Sequence, residues 1–184
     1  LTLAELKQLD AGSWFDVKYA GQRIPTLYEV LELIASHPNQ DATVALHVKS
    51  FEPDLLEETV RLVGKHGLFE RTFAFGQPLA ATRQMKQADP RMRTVLAEFS
   101  DSRKFRTSDG WADVMADELC DGVWVHFIPA DEAMELAKEK GKPVYLYTPT
   151  RDADYWRSGL EAGVVFCSDH VVAIAPLGQG EDRE

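Results

Sequence analysis

Six short runs rich in β-forming residues, each separated from the next by a connection long enough for a helix, constrain this chain more than any other feature. The runs are 43–49, 71–75, 92–97, 121–127, 143–148 and 164–168. After the first, Pro53 opens a stretch with helical spacing at Leu55, Leu56, Val60 and Val63. Further helices are predicted over 79–88, stopped by Asp89-Pro90, over 111–118, over 130–140 with Gly141 behind it, and over 153–161 with Gly163 behind it. Parallel neighbours need a crossover of a dozen residues or more, usually helical, so the alternation predicts a parallel α/β sheet. Strands of an open doubly wound sheet are covered by helices on both sides and read as unbroken apolar runs. Here the faces differ. Thr43, Ala45, His47 and Lys49 oppose Val44, Leu46 and Val48, and Thr72, Ala74 and Gly76 oppose Phe73 and Phe75. One face meets helices and the other a confined interior, which predicts a TIM-type β/α barrel. A full barrel has eight strands and about 250 residues. This chain carries about six of the eight strand–helix units, so the barrel is incomplete.

Composition narrows the class. The 184 residues are 45% hydrophobic and carry a formal charge of −10, which fits one folded domain and argues against a general nucleic-acid binder. No apolar run approaches the ~20 residues of a membrane helix. The two cysteines, Cys120 and Cys167, make neither a disulfide framework nor a zinc set, which slightly favours a cytoplasmic setting. The chain opens on Leu1 and is read as starting inside a longer parent, with any targeting region out of view. Residues 1–177 are predicted to form the partial barrel, with 1–36 as an insertion block and its following helix, and 178–184 as a disordered tail.

Ahead of the first strand stand Leu1-Thr2-Leu3-Ala4-Glu5-Leu6, then Leu9-Asp10-Ala11-Gly12-Ser13-Trp14-Phe15, then Gly21-Gln22-Arg23-Ile24-Pro25-Thr26-Leu27 with Glu29-Val30-Leu31. This succession resembles the glycerophosphodiester phosphodiesterase family, in which "T-L-x-E-L…L-D-A-G-S-W-F" precedes "G-x-x-I-P-T-L-x-E-V-L". The similarity runs on through nearly the whole chain. Residues 42–49 stand where that family has "N-I-E-I-K", 145–148 where it has "V-Y-V-W-T", and 163–169 where it has "G-V-D-G-I-I-T-D". The resemblance implies a β/α barrel of lipid metabolism that hydrolyses glycerophosphodiesters to an alcohol and glycerol 3-phosphate. It implies a divalent cation, Mg or Ca, to neutralise phosphate charge, and two histidines as general acid and base. A small phosphodiester is the expected partner.

The departures matter as much. The family's "H-R-G" histidine, its "E-x-D" pair and its second catalytic histidine precede the block that opens these 184 residues, and the catalytic residues are accordingly unassigned here. The Glu of "N-I-E-I-K" falls at His47, the Ser of "S-F-D" near Ala74, the Trp of "W-T-x-N" at Tyr147 and its Asn at Thr150, while Lys49 is retained. This combination predicts no turnover from the chain alone, with a degenerate barrel acting as a binding or assembly module as the alternative.

His47 is the one metal-ligand candidate. It either binds a metal through a neutral ring nitrogen or is an interior histidine satisfied by a neighbour; without companion carboxylates the second is the more economical. Lys49 is expected to hold a phosphate oxygen. Tyr147 and His126 are expected to line the mouth, and Trp14 and Phe15 either to touch glycerol carbons or to anchor the insertion on the barrel. Thr26 reads as a helix N-cap with Glu29 closing a capping box, and Asp16 and Arg23 as loop stabilisers. Glu98 reads as a solvated acid, Asp169 and His170 as a mouth-side pair, and Cys167 as a buried, inert thiol. Two open barrel edges would expose strand backbone, so one of three remedies is expected: a longer parent, pairing with another chain as in a homo-oligomer, or a rearranged sheet.

Overall fold

In a computed structural model, which describes residues 1–38, 42–97, 106–169 and 174, the six expected strands form one parallel sheet. They are β1 (Val44–His47), β2 (Thr72–Phe75), β3 (Arg93–Ala97), β4 (Gly122–Val125), β5 (Val144–Tyr147) and β6 (Val165–Cys167). Their order in the sheet is their order in the chain, as right-handed β–α–β crossovers produce in a barrel wall. The sheet curls into an incomplete TIM-type barrel. Among the described residues β1 pairs only with β2 and β6 only with β5, so both ends of the described wall are open.

Helices alternate with the strands as their spacing demands. α1 (Leu3–Leu6) and α2 (Leu27–Ser36) precede β1; α3 (Pro53–Lys65), α4 (Leu79–Ala88), α5 (Ser108–Ala116), α6 (Asp131–Glu139) and α7 (Ala153–Ala162) occupy the connections. At α2 the Thr26 hydroxyl accepts from Glu29 N–H and the Glu29 carboxylate accepts from Thr26 N–H, which is the expected capping box. α7 is capped by Asp152 and ends at Gly163, whose φ of +86° costs no Cβ clash. α5 starts at Ser108, three residues before the predicted start, because the Thr107 hydroxyl accepts from Gly110 N–H and opens the helix there. Among the described residues no helix is long and apolar enough to cross a membrane.

Two apolar layers lie outside the sheet and one inside. Outside β1 and β2, Leu31 of α2, Leu56, Val60 and Val63 of α3, and Ala81 and Met85 of α4 pack on Val48 and Ala74. Outside β4 and β5, Trp111 and Met115 of α5 and Ala137 of α6 pack on Val123, Val125, Val144 and Leu146. Inside, Phe73, Phe75, Val95, Ala97 and Trp124 bury one another, with Tyr145 and Tyr147 at their margin. In β1 the small and polar face looks inward; β2 is the reverse, with Ala74 against the helices and both phenylalanines inside.

Candidate functional site

Barrel chemistry belongs at the C-terminal ends of the strands, and the register shows which side chains arrive there. His47 pairs with Phe75, Phe75 with Val95, Ala97 with Trp124, Trp124 with Tyr145, and Tyr147 with Cys167. Parallel pairing keeps partners on one face, so this set forms one inner wall. It is a wall of rings. The His47 imidazole stacks on Phe75 at 4.6 Å, Phe75 stacks on Trp124 at 4.2 Å, and Phe73 meets Tyr145 at 4.5 Å. Trp124 is 5% exposed although the wall is open, because neighbouring rings cover it. His126 and Tyr147, both expected at the mouth, face each other edge-on with centroids 5.8 Å apart.

His47 ends β1 at the open edge and is exposed on its free side. Its ring lies over Gly76, where a Cβ would come within 2.5 Å of Cδ2 and 2.7 Å of Nε2. Gly76 has φ +84°, a conformation that a side chain resists and that turns the chain sharply behind β2. Partial burial pushes the His47 imidazole below the ordinary histidine value, and the Lys49 ammonium lowers it further. His47 is therefore neutral at neutral pH, beside a positive charge. Gln77, next in the turn, is buried: its amide donates to the Ala74 carbonyl at 3.3 Å, and its Oε1 has no hydrogen-bond partner among the described residues.

These groups do not make a metal site. A hard cation seeks carboxylate and carbonyl oxygens. At His47 it would meet an imidazole packed flat on Phe75 and the repulsion of Lys49. Among the described residues no three His, Cys, Asp or Glu side chains gather around a metal-sized point. Among the described residues, clefts also lie elsewhere. One of about 850 Å³ is walled by α3 and α4, and one of about 330 Å³ lies between α5 and α6 under Arg106; both sit on the outer helical layer.

The N-terminal block is held to α2 by an ion pair between Lys7 and Glu29, and Arg23 donates to the Lys7 carbonyl. Asp16 caps the short 3₁₀ turn Val17–Tyr19 by accepting from Lys18 N–H. Trp14 and Phe15 are 80% and 69% exposed. Their rings pack on each other at 5.7 Å and Phe15 also packs on Tyr19, so the structure keeps them together within the block.

Asp10 is the organising residue that the sequence reading passed over. Its carboxylate accepts from Gly12 N–H, Ser13 N–H, the Ser13 hydroxyl and Gly21 N–H, which holds its pKa far below the usual carboxylate range. An Asp two residues before Gly-Ser is the turn signal that could have found it.

Cys167 corrects an expectation. It is exposed, because among the described residues β6 is an edge strand whose inner face looks into the open concavity. Partial burial and Asp169 nonetheless push its thiol up, away from the reactive thiolate. Asp169 is exposed, whereas Glu98, His170 and the 178–184 tail lie outside the described residues.

No protein-family profile matches the chain. A glycerophosphodiester phosphodiesterase of Caldanaerobacter subterraneus is 30% identical over 166 residues, which cover 89% of this chain and 65% of that protein. The chain thus spans slightly less than two thirds of that curated relative. Among solved structures, a candidate glycerophosphodiester phosphodiesterase from Galdieria sulphuraria superposes with a TM-score of 0.79 at 22% identity, covering 98% of this chain and 71% of that one. An Oleispira antarctica phosphodiesterase solved in complex with the product sn-glycerol-3-phosphate gives 0.72 at 24% identity, covering 97% and 71%. At these identities the structures establish the barrel architecture, and the curated relative extends the sequence similarity through most of the chain. Six parallel strands in chain order, the Asp10-centred block ahead of them and this relative together place the chain in the glycerophosphodiester phosphodiesterase family.

Proposed function

We propose that this chain is the phosphate-recognising part of a glycerophosphodiester phosphodiesterase barrel, binding the glycerol 3-phosphate portion of a small phosphodiester at the strand ends. In a complete enzyme the reaction is hydrolysis to an alcohol and glycerol 3-phosphate. The observation that carries the reading is Lys49, which stands where the resembled "N-I-E-I-K" has its Lys, just beyond the end of β1 where its charge reaches His47. Its ammonium is a point charge suited to a phosphate oxygen, and the buried Gln77 Oε1 offers an acceptor for a hydroxyl. Tyr147 and His126 close the opposite side of the mouth, and Trp14 and Phe15 supply apolar surface for the glycerol carbons. The product-bound Oleispira antarctica structure supports a ligand of this class for the fold. Both cysteines are free thiols, which suits a cytoplasmic setting.

The chain alone is proposed to bind without turnover, since proton transfer requires positioned acid and base groups that these 184 residues lack at the family's positions. A binding or assembly module is the second reading. The ring-filled interior favours it, because Phe75 and Trp124 occupy space at the heart of the concavity. Pairing of the β1 and β6 edges with a second copy belongs to either reading.

The purified chain assayed with glycerophosphocholine and Mg or Ca, following glycerol 3-phosphate, is expected to give no turnover; sustained hydrolysis would reverse the proposal. Calorimetry with sn-glycerol 3-phosphate is expected to show binding. Lys49→Ala should weaken it about tenfold or more, in line with the loss of a hydrogen bond to a charged group. An upstream reading frame encoding "H-R-G" and "E-x-D" would select the enzyme over the module.

A further inference from the structure

We propose that the mouth takes phosphate directly on His47 and Lys49, with no divalent cation between ligand and protein; this rests on the glycerol 3-phosphate reading above. The position matters first. His47 ends β1 on the inner face; Val48 N–H still bonds the Phe75 carbonyl at 3.0 Å and its side chain packs outward, so strand alternation turns Lys49 toward the side of His47. The ring is held by packing. It is stacked at 4.6 Å and 26° on Phe75 and lies over Gly76, where an added side chain would collide with it. A stacked, seated imidazole presents its ring-edge nitrogens in a fixed direction.

The chemistry of that edge sets the preference. A carboxylate offers acceptors only, and acceptors collect cations. A neutral imidazole offers one N–H donor, and both nitrogens donate when it is protonated. A phosphate oxygen beside His47 meets a donor and the Lys49 charge. A dication in the same place meets a soft nitrogen, where Mg and Ca prefer oxygen, and a neighbouring ammonium that repels it. Among the described residues no set of three metal-ligating side chains is present to offset that repulsion. The family's cation and this chain's His47 are thus alternatives: the imidazole and the ammonium do locally what the metal does elsewhere, which is to meet the negative charge of the phosphate.

The test is a calorimetric titration of the full chain with sn-glycerol 3-phosphate under a chelator, with Mg and with Ca. The three affinities are expected to agree within about twofold. Under the chelator His47→Ala should weaken binding about fivefold or more, and His47→Glu more still, because it replaces a donor by a negative charge. A second readout needs no ligand affinity: Mn added to the unmodified chain should leave the His47 ring-proton resonances sharp, while glycerol 3-phosphate should shift them under the chelator. Binding that requires a cation, unchanged affinity in His47→Ala, or selective broadening of His47 by Mn would each overturn the inference and leave the phosphate reading standing. Absence of binding in every arm would overturn both. Should His47→Glu fail to fold by circular dichroism, His47→Ala and the Mn spectra decide the matter.

Discussion

Gly76 and His47 act as one unit although 29 positions separate them in the chain. A methyl group at Gly76 would press into the imidazole and would have to accept φ +84°. Gly76→Ala is expected to cost about 1–3 kcal/mol, read as a lowered urea midpoint, with a displaced His47 resonance in the same sample. His47 also makes stability depend on pH. Its folded pKa lies below the unfolded value of about 6.5, so between the two the unfolded chain holds more protons. Stability is therefore complete above that value and falls as the pH drops through the window. Urea midpoints measured on either side of it should fall further with acid in the natural chain than in His47→Gln; equal slopes would remove His47 from the account. At this scale the sequence was readable where a residue acts through its neighbours in the chain, as Thr26 and Glu29 do in their cap. Asp10 was less readable, since one of its four donors comes from Gly21, and the seat that Gly76 makes for His47 exists only once β1 and β2 are paired.

The strands and helices followed the sequence pattern closely because hydrophobic period and breakers are local signals. The predicted stretch 79–88 is α4 from end to end, and Gly163 ends α7 as expected. Which face of a strand looks inward was less legible. In β2 small residues face the helices, since Ala74 must clear α3 and α4, while the open concavity has room for Phe73 and Phe75. Period alone gives two faces and no sign. The exposure of Cys167 has a similar cause: burial of β6 depends on what lies beyond it, and nothing in Val165-Phe166-Cys167 says that the strand stands at an edge of the described sheet. The inner ring stack gives the element-scale prediction. Trp124→Ala removes the ring that links Phe75 to Tyr145 and should cost about 3–5 kcal/mol by thermal or urea unfolding. A loss below about 1 kcal/mol would mean that the rings cluster without supporting the wall.

For the whole molecule the open wall has physical effects. Among the described residues, Val44–His47 and Val165–Cys167 each leave one side of their backbone outside the sheet, and Val165 is 48% exposed. Edges of this kind pair with other strands unless something blocks them. The charge of −10 on each copy opposes such pairing at long range, and salt screens it. Light scattering is expected to give a mass above the 20.6 kDa of one chain, rising as salt is added. A mass that stays at one chain across the salt series would leave both edges unpaired. Cys120 is buried, with its thiol donating to the Gly122 carbonyl, whereas Cys167 sits on the free edge opposite Tyr147. A maleimide fluorophore should therefore mark one site in this chain, and its emission would report any strand that zips onto β6, from whatever source.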